Sequence, residues 1–205
     1  MTRSIKRDRR RQSPTTKRAI NGSIRIIAGQ WRGRKLPVRD AEGLRPTTDR
    51  TKETVFNWLM NHILEARCLD AFAGSGGLGL EALSRYAAHV TFIEKDANTA
   101  KQLRDNLVTL KCDNTKALLI EQEASVALQR LTTPYDIVFI DPPFNKGLAA
   151  PFIQQIQSQQ LLTSDGLLYV ETERSLALNP EEMGFSVLKQ KSTDQVVYQL
   201  WQKCG

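Results

Sequence analysis

The sequence predicts an α/β fold built on a mostly parallel, seven-stranded sheet, and three observations carry that prediction. From residue 66 onward, short β-branched and aromatic runs alternate with amphipathic stretches, the pattern of parallel strands joined by right-handed helical crossovers. The last segment, FSVLKQKSTDQVVYQLW, holds two strand-like runs with no helix between them and predicts an antiparallel hairpin. At 205 residues the chain suits one domain with a real core and a small appendage.

The elements follow in order. Residues 1–22 have no periodicity and few apolar side chains, and are expected to form a basic, disordered tail. In residues 23–64, SIRIIAGQWRGRKLPV alternates and breaks at Gly29 and Gly33, which predicts a small β-hairpin. LRPTTDRTKETVFNWLMNHI then reads as a helix with Thr48 or Asp49 as its cap; Val55, Phe56, Leu59 and Ile63 form one apolar stripe. Residues 65–205 carry the sheet. ARCLDAFA, HVTFIEK, KALLIEQ, YDIVFI and GLLYVETE are its first five strands. LGLEALSRYA, ANTAKQLRDNLVTL, ASVALQRL and LAAPFIQQIQ are the intervening helices that cover both faces.

The net charge of +7 is unevenly placed. Residues 1–35 hold 12 Lys/Arg against Asp8 alone, a balance of +11; residues 36–205 hold 17 Lys/Arg against 21 acids, a balance of −4. Clusters such as KRDRRRQ favour salt-sensitive phosphate contact, although a solvated tail that aids solubility has the same composition. The apolar runs are strand-sized, far short of the roughly 20 residues that span a bilayer. No secretory signal is visible, and the basic N-terminus lacks the amphipathic face of a transit peptide. Cys68, Cys112 and Cys204 form no CxxC pair, and His62 and His89 are the only histidines, so a zinc site has few ligands. A reduced, cytoplasmic protein is expected.

Three motifs fall at strand ends, where ligands bind in open parallel sheets. LDAFAGSGGLG contains Gly74-x-Gly76-x-x-Gly79, which lets the backbone turn sharply and approach a ligand. By itself that spacing fits NAD, FAD, S-adenosylmethionine or a plain tight turn. Glu94, ending the second strand, is placed to accept from the hydroxyls of a ribose. Asp70, ending the first, would repel a pyrophosphate and attract the cationic methionine part of S-adenosylmethionine. Glu123 and Ala124 follow the third strand, where an adenine would lie, although a helix-starting Glu explains Glu123 equally well. After the fourth strand comes Asp141-Pro142-Pro143-Phe144, a rigid extended turn ending in an aromatic ring.

Together DAFAGSGGLG, IEKD and DPPF resemble the motifs of class I S-adenosylmethionine-dependent methyltransferases, a Rossmann-like fold. The resemblance implies that Asp70, Phe72, Ala73, Gly74, Ser75, Gly76, Gly79, Glu94, Lys95, Glu123 and Ala124 hold the cofactor, which leaves as S-adenosylhomocysteine. DPPF is similar to the signature of enzymes that methylate ring amines. An amine conjugated into a purine is a poor nucleophile. Acceptors at Asp141 and the Pro142 carbonyl would pull it toward tetrahedral geometry, with Phe144 stacked on the base. Pro143 stiffens the clamp, and no metal is required.

IRIIAGQWRGRKLPV with LRPTTDRTKETVFNWL resembles the bacterial RsmD family, which methylates the 2-amino group of a guanine in small-subunit (16S) ribosomal RNA. That resemblance spans residues 23–202. It implies RNA contacts at Arg25, Arg32, Arg34, Lys35, Arg45, Thr47 and Arg50, with the last three beside Asp49 and Glu53 near the cofactor pocket. A charged, capped helix start is the plain alternative for these five. Trp31 either stacks on a base or covers the hairpin. The implied partner is ribosomal RNA within the small subunit, with the chain acting as a monomer. A DNA adenine methyltransferase, a non-catalytic RNA-binding protein and a nicotinamide oxidoreductase are the competing readings. The oxidoreductase leaves Asp70 and DPPF unexplained.

Overall fold

The computed structural model describes residues 22–38 and 48–204. Strands β1 (Gly22–Arg25) and β2 (Lys35–Val38) form an antiparallel hairpin registered from Gly22–Val38 to Arg25–Lys35. Helix α1 (Asp49–Trp58) follows, with Thr48 as its N-cap: the Thr51 N–H donates to the Thr48 hydroxyl at 3.2 Å. The apolar stripe expected on this helix is buried through Ile63, but the helix itself stops at Trp58. Beyond it the N–H groups of His62 and Ile63 both bond the Leu59 carbonyl, which turns the chain toward the sheet.

The alternating part begins with β3 (Arg67–Asp70), α2 (Gly77–Ser84), β4 (His89–Glu94), α3 (Ala97–Thr109) and β5 (Ala117–Glu121). It continues through α4 (Ala124–Leu128), β6 (Tyr135–Ile140), α5 (Ala149–Ser158) and β7 (Leu162–Glu173). β8 (Phe185–Ser192) and β9 (Val196–Lys203) complete a seven-stranded sheet of order β5-β4-β3-β6-β7-β9-β8. Pairs from β5 to β7 are parallel, while β9 runs antiparallel to both β7 and β8. The expected mixed sheet and terminal hairpin are therefore present. Strand order reverses between β3 and β6, which opens a crevice at their carboxyl ends.

β7 starts at Leu162 rather than at the expected Gly166. The early segment joins β6 through the pair Tyr135–Leu162, and the register then shifts so that Ile137 faces Leu167. Such an irregularity breaks the apolar alternation on which a strand start is read.

Period-two alternation divides the core into two layers. Cys68, Phe92, Ile137, Phe139 and Tyr169 face one side, where they pack with Phe56 of α1, Leu80 of α2 and Leu103 of α3. Leu69, Ile93, Val138, Ile140, Leu168 and Val170 face the other, against Leu128 of α4 and Phe152 and Ile156 of α5. Ile24, Ile26, Leu36 and Val38 of the hairpin belong to the first layer, so the hairpin shares the core of the sheet.

The seam between hairpin and α2 is polar and partly buried. Glu81 of α2 accepts the N–H groups of Ile27 at 2.7 Å and Ala28 at 3.0 Å, and pairs with Arg85 at 2.8 Å. The Arg85 guanidinium lies 5.0 Å from the centre of the Phe56 ring. Gly29 has a left-handed backbone (φ +79°), and a Cβ there would fall 1.8 Å from the Ser84 carbonyl oxygen. Lys52 donates to the Arg25 carbonyl, and burial lowers its pKa from the ordinary lysine value. The tail assigned to residues 1–22 lies outside the described residues apart from Gly22.

Candidate active site

The carboxyl end of β3 sets the site. Asp70 ends the strand almost fully buried, and the chain turns through residues 71–76 into α2, whose N-cap Gly76 has φ +81°. Asp70 Oδ2 accepts the Gly79 N–H at 2.9 Å. Gly79 is required by close packing: a Cβ there would meet the Phe92 ring at 2.2 Å, so α2 could not lie this near β4. Burial pushes the Asp70 carboxyl up to about 7, with the Gly79 bond opposing and the Glu94 charge adding to the rise. A cation beside Asp70 would reverse that shift.

Glu94 ties the glycine turn to the end of β4. Its Oε2 accepts the Gly74 N–H at 2.8 Å and its Oε1 the Asp96 N–H at 2.7 Å. A carboxylate has about four acceptor positions, so these bonds orient Glu94 while leaving it capacity for ligand hydroxyls. Glu123 caps α4, accepting from Val126 N–H at 3.2 Å and from the Ser125 hydroxyl. The helix-starting role is thus the observed one, and the residue also faces the crevice.

β6 ends at Ile140, and Asp141-Pro142-Pro143-Phe144 runs past it along the crevice. The turn closes at Asn145, whose left-handed backbone (φ 59°) directs its N–H to Glu173 Oε1 at 3.0 Å. Phe144 is half-buried against the first core layer.

These ends bound one cleft of about 820 Å³, within the 300–1,000 Å³ range of small-molecule sites. Asp70, Phe72, Ala73, Gly74, Ser75, Glu94, Lys95, Glu123, Ala124 and the whole of Asp141 to Phe144 line it. Gly76 and Gly79 do not; they shape the turn from behind. Arg50 lines the cleft, whereas Asp49 instead pairs with Lys52 at 3.6 Å. Arg25, Arg32, Arg34 and Lys35 are exposed on the hairpin outside the cleft, with Arg34 donating to the Thr109 carbonyl at 3.0 Å. Arg45 and Thr47 lie outside the described residues. Trp31 is half-buried against the first core layer.

A family model described as Conserved hypothetical protein 95 matches residues 24–202. Ribosomal RNA small subunit methyltransferase D of Escherichia coli (strain K12) is 50% identical over 183 residues, covering 89% of this chain and 91% of that protein. The chain belongs to the RsmD family. The Haemophilus influenzae protein of the same name is 49% identical over 193 residues, 93% of this chain and 97% of the relative. Among solved structures, yhhF from Escherichia coli matches with a TM-score of 0.81 and 48% identity, over 89% of this chain and 99% of that one. The RsmD fold is thus the class I methyltransferase fold, and its strand order accounts for the crevice between β3 and β6.

Several residues that line the cleft escaped the sequence reading. Lys146 follows the DPPF turn, Glu171 and Tyr198 come from β7 and β9, and Lys191, Thr193 and Val196 come from the C-terminal hairpin. Glu171 in YVETE follows an apolar run as Glu94 does, but its strand continues to Glu173, so it does not mark a strand end in the sequence.

Proposed function

We propose that the chain transfers a methyl group from S-adenosylmethionine to the exocyclic 2-amino group of a guanine in small-subunit ribosomal RNA, within an assembled or assembling subunit. The observation that carries this reading is the meeting of Asp70, Glu94 and the Asp141–Phe144 turn in one cleft. The names of its relatives support ribosomal RNA as the acceptor, and a cytoplasmic location goes with that acceptor.

The cofactor supplies an electrophilic methyl group on a sulfonium. Asp70 and the turn from Phe72 to Ser75 hold its cationic methionine portion, Glu94 accepts from its ribose, and Glu123 and Ala124 border its adenine. Asp141 and the Pro142 carbonyl accept the two amine N–H groups of the base, aiming the nitrogen lone pair at the methyl carbon. Phe144 stacks on a guanine drawn out of its helix. Held there, the cofactor would give its methyl group to the nitrogen and leave as the neutral thioether. The excess proton on nitrogen departs toward Asp141 or water. Alignment is the protein's main contribution, on the order of 7–11 kcal/mol for well-oriented reactants. Arg50 and the hairpin cations Arg25, Arg32, Arg34 and Lys35 serve the phosphates, and the catalytic unit is a monomer.

The test is incubation with methyl-labelled S-adenosylmethionine and four acceptors: small subunits, naked small-subunit RNA, transfer RNA and DNA. Products are digested to nucleosides. Label in 2-methylguanosine from a ribosomal acceptor, lost in Asp141→Ala, is expected. Label in 6-methyladenine from DNA would overturn the reading.

A further inference from the structure

The carboxyl end of β7 carries a second acid that the amine clamp does not use. Ile140 and Val170 are registered partners on adjacent parallel strands, so the next residues along, Asp141 and Glu171, follow them side by side. Neighbouring strands lie about 4.8 Å apart. Both acids line the cleft, and Glu171 is only 9% exposed. The hydroxyl of Tyr169 donates to Glu171 Oε2 at 2.5 Å. Burial raises the Tyr169 pKa well above its ordinary value, and the charges of Glu171 and Asp141 raise it further. That hydroxyl therefore remains a donor and fixes the Glu171 carboxyl group, whose two oxygens offer about four acceptor positions in all. Tyr198, the cross-strand partner of Glu171, stands beside it in the cleft wall.

We propose that Glu171 selects guanine, accepting the N1–H of the base whose 2-amino group Asp141 holds. This rests on the guanine reading above. Guanine presents N1–H and the 2-amino group on adjacent atoms of one edge, so the edge is donor beside donor. Two carboxylates at the ends of neighbouring strands match it. Adenine places an acceptor nitrogen, N1, next to its amine, and a carboxylate facing that lone pair is repelled. An Asp-Pro-Pro-Phe turn alone accepts either amine; the acid on the next strand supplies the choice.

The experiment uses the full chain and small-subunit RNA in which the methylated guanine is replaced by 2-aminopurine. That base keeps the 2-amino group but carries a lone pair at N1. The quantity read is the ratio of kcat/KM on guanine to that on 2-aminopurine, in which effects on folding and cofactor binding cancel. Glu171→Gln is near-isosteric, can still accept from Tyr169, and offers an N–H to the 2-aminopurine N1. It should shrink the wild-type ratio about ten- to hundredfold, the scale of one hydrogen bond to a charged group. Glu171→Ala should also lower the ratio by removing the acceptor. Both variants should bind cofactor as the wild type does. An unchanged ratio in both variants would overturn the proposal and leave Glu171 with a structural role that includes accepting from Tyr169. Failure of the guanine reading is separately visible, because the wild type would then put no label into 2-methylguanosine.

Discussion

At the scale of single residues, the site depends on how carboxyl groups are surrounded. Asp70 is neutral over much of the acidic range, since burial raises its pKa to about 7. A cationic ligand binds the ionised form, so below that pH its uptake must expel a proton. Affinity for S-adenosylmethionine should climb by up to about tenfold per pH unit below 7 and level off above it. Asp70→Asn should bind more weakly with a flatter profile; calorimetric titrations at pH 6, 7 and 8 check this. Asp70, Glu94 and Asp141 were legible because each closes an apolar run just where a turn begins. Glu171 was passed over because its strand continues two residues beyond it, and a one-dimensional pattern gives no cue that its neighbour in space is Asp141.

At the scale of elements, the order of strands and helices was readable from periodicity, since each must bury a stripe or a face. What periodicity does not contain is docking. The β1–β2 hairpin is anchored by a carboxylate 54 positions downstream in the chain, and nothing local to either segment announces the other. Removing the buried Glu81 strands two backbone donors and the Arg85 guanidinium in a partly buried seam. Glu81→Ala should therefore cost about 3 kcal/mol in urea unfolding. Glu81→Gln, which keeps an acceptor for the backbone, should cost less. The helix that ends at Trp58 rather than Ile63 illustrates the same gap. Its stripe continues, but a turn delivers the last apolar residues to the core.

At the scale of the molecule, charge is segregated: +11 in residues 1–35 against −4 in the remainder. A polyanion should meet the amino-terminal side first, and the affinity should fall steeply with salt as counterions are released. Deleting residues 1–20 removes eight cations and one acid, and should flatten the slope of log affinity for ribosomal RNA against log salt; filter binding across salt concentrations reads it directly. An unchanged slope would show that the exposed hairpin cations suffice. The cleft itself is enclosed by both arms of the chain, Gly22, Ile24 and Val38 on one side and Lys191, Val196 and Tyr198 on another. Since polypeptides are synthesised from the amino end, the wall supplied by β9 is translated last among the described elements. A nascent chain therefore cannot possess the complete chamber until the final antiparallel strand has threaded between its two neighbours.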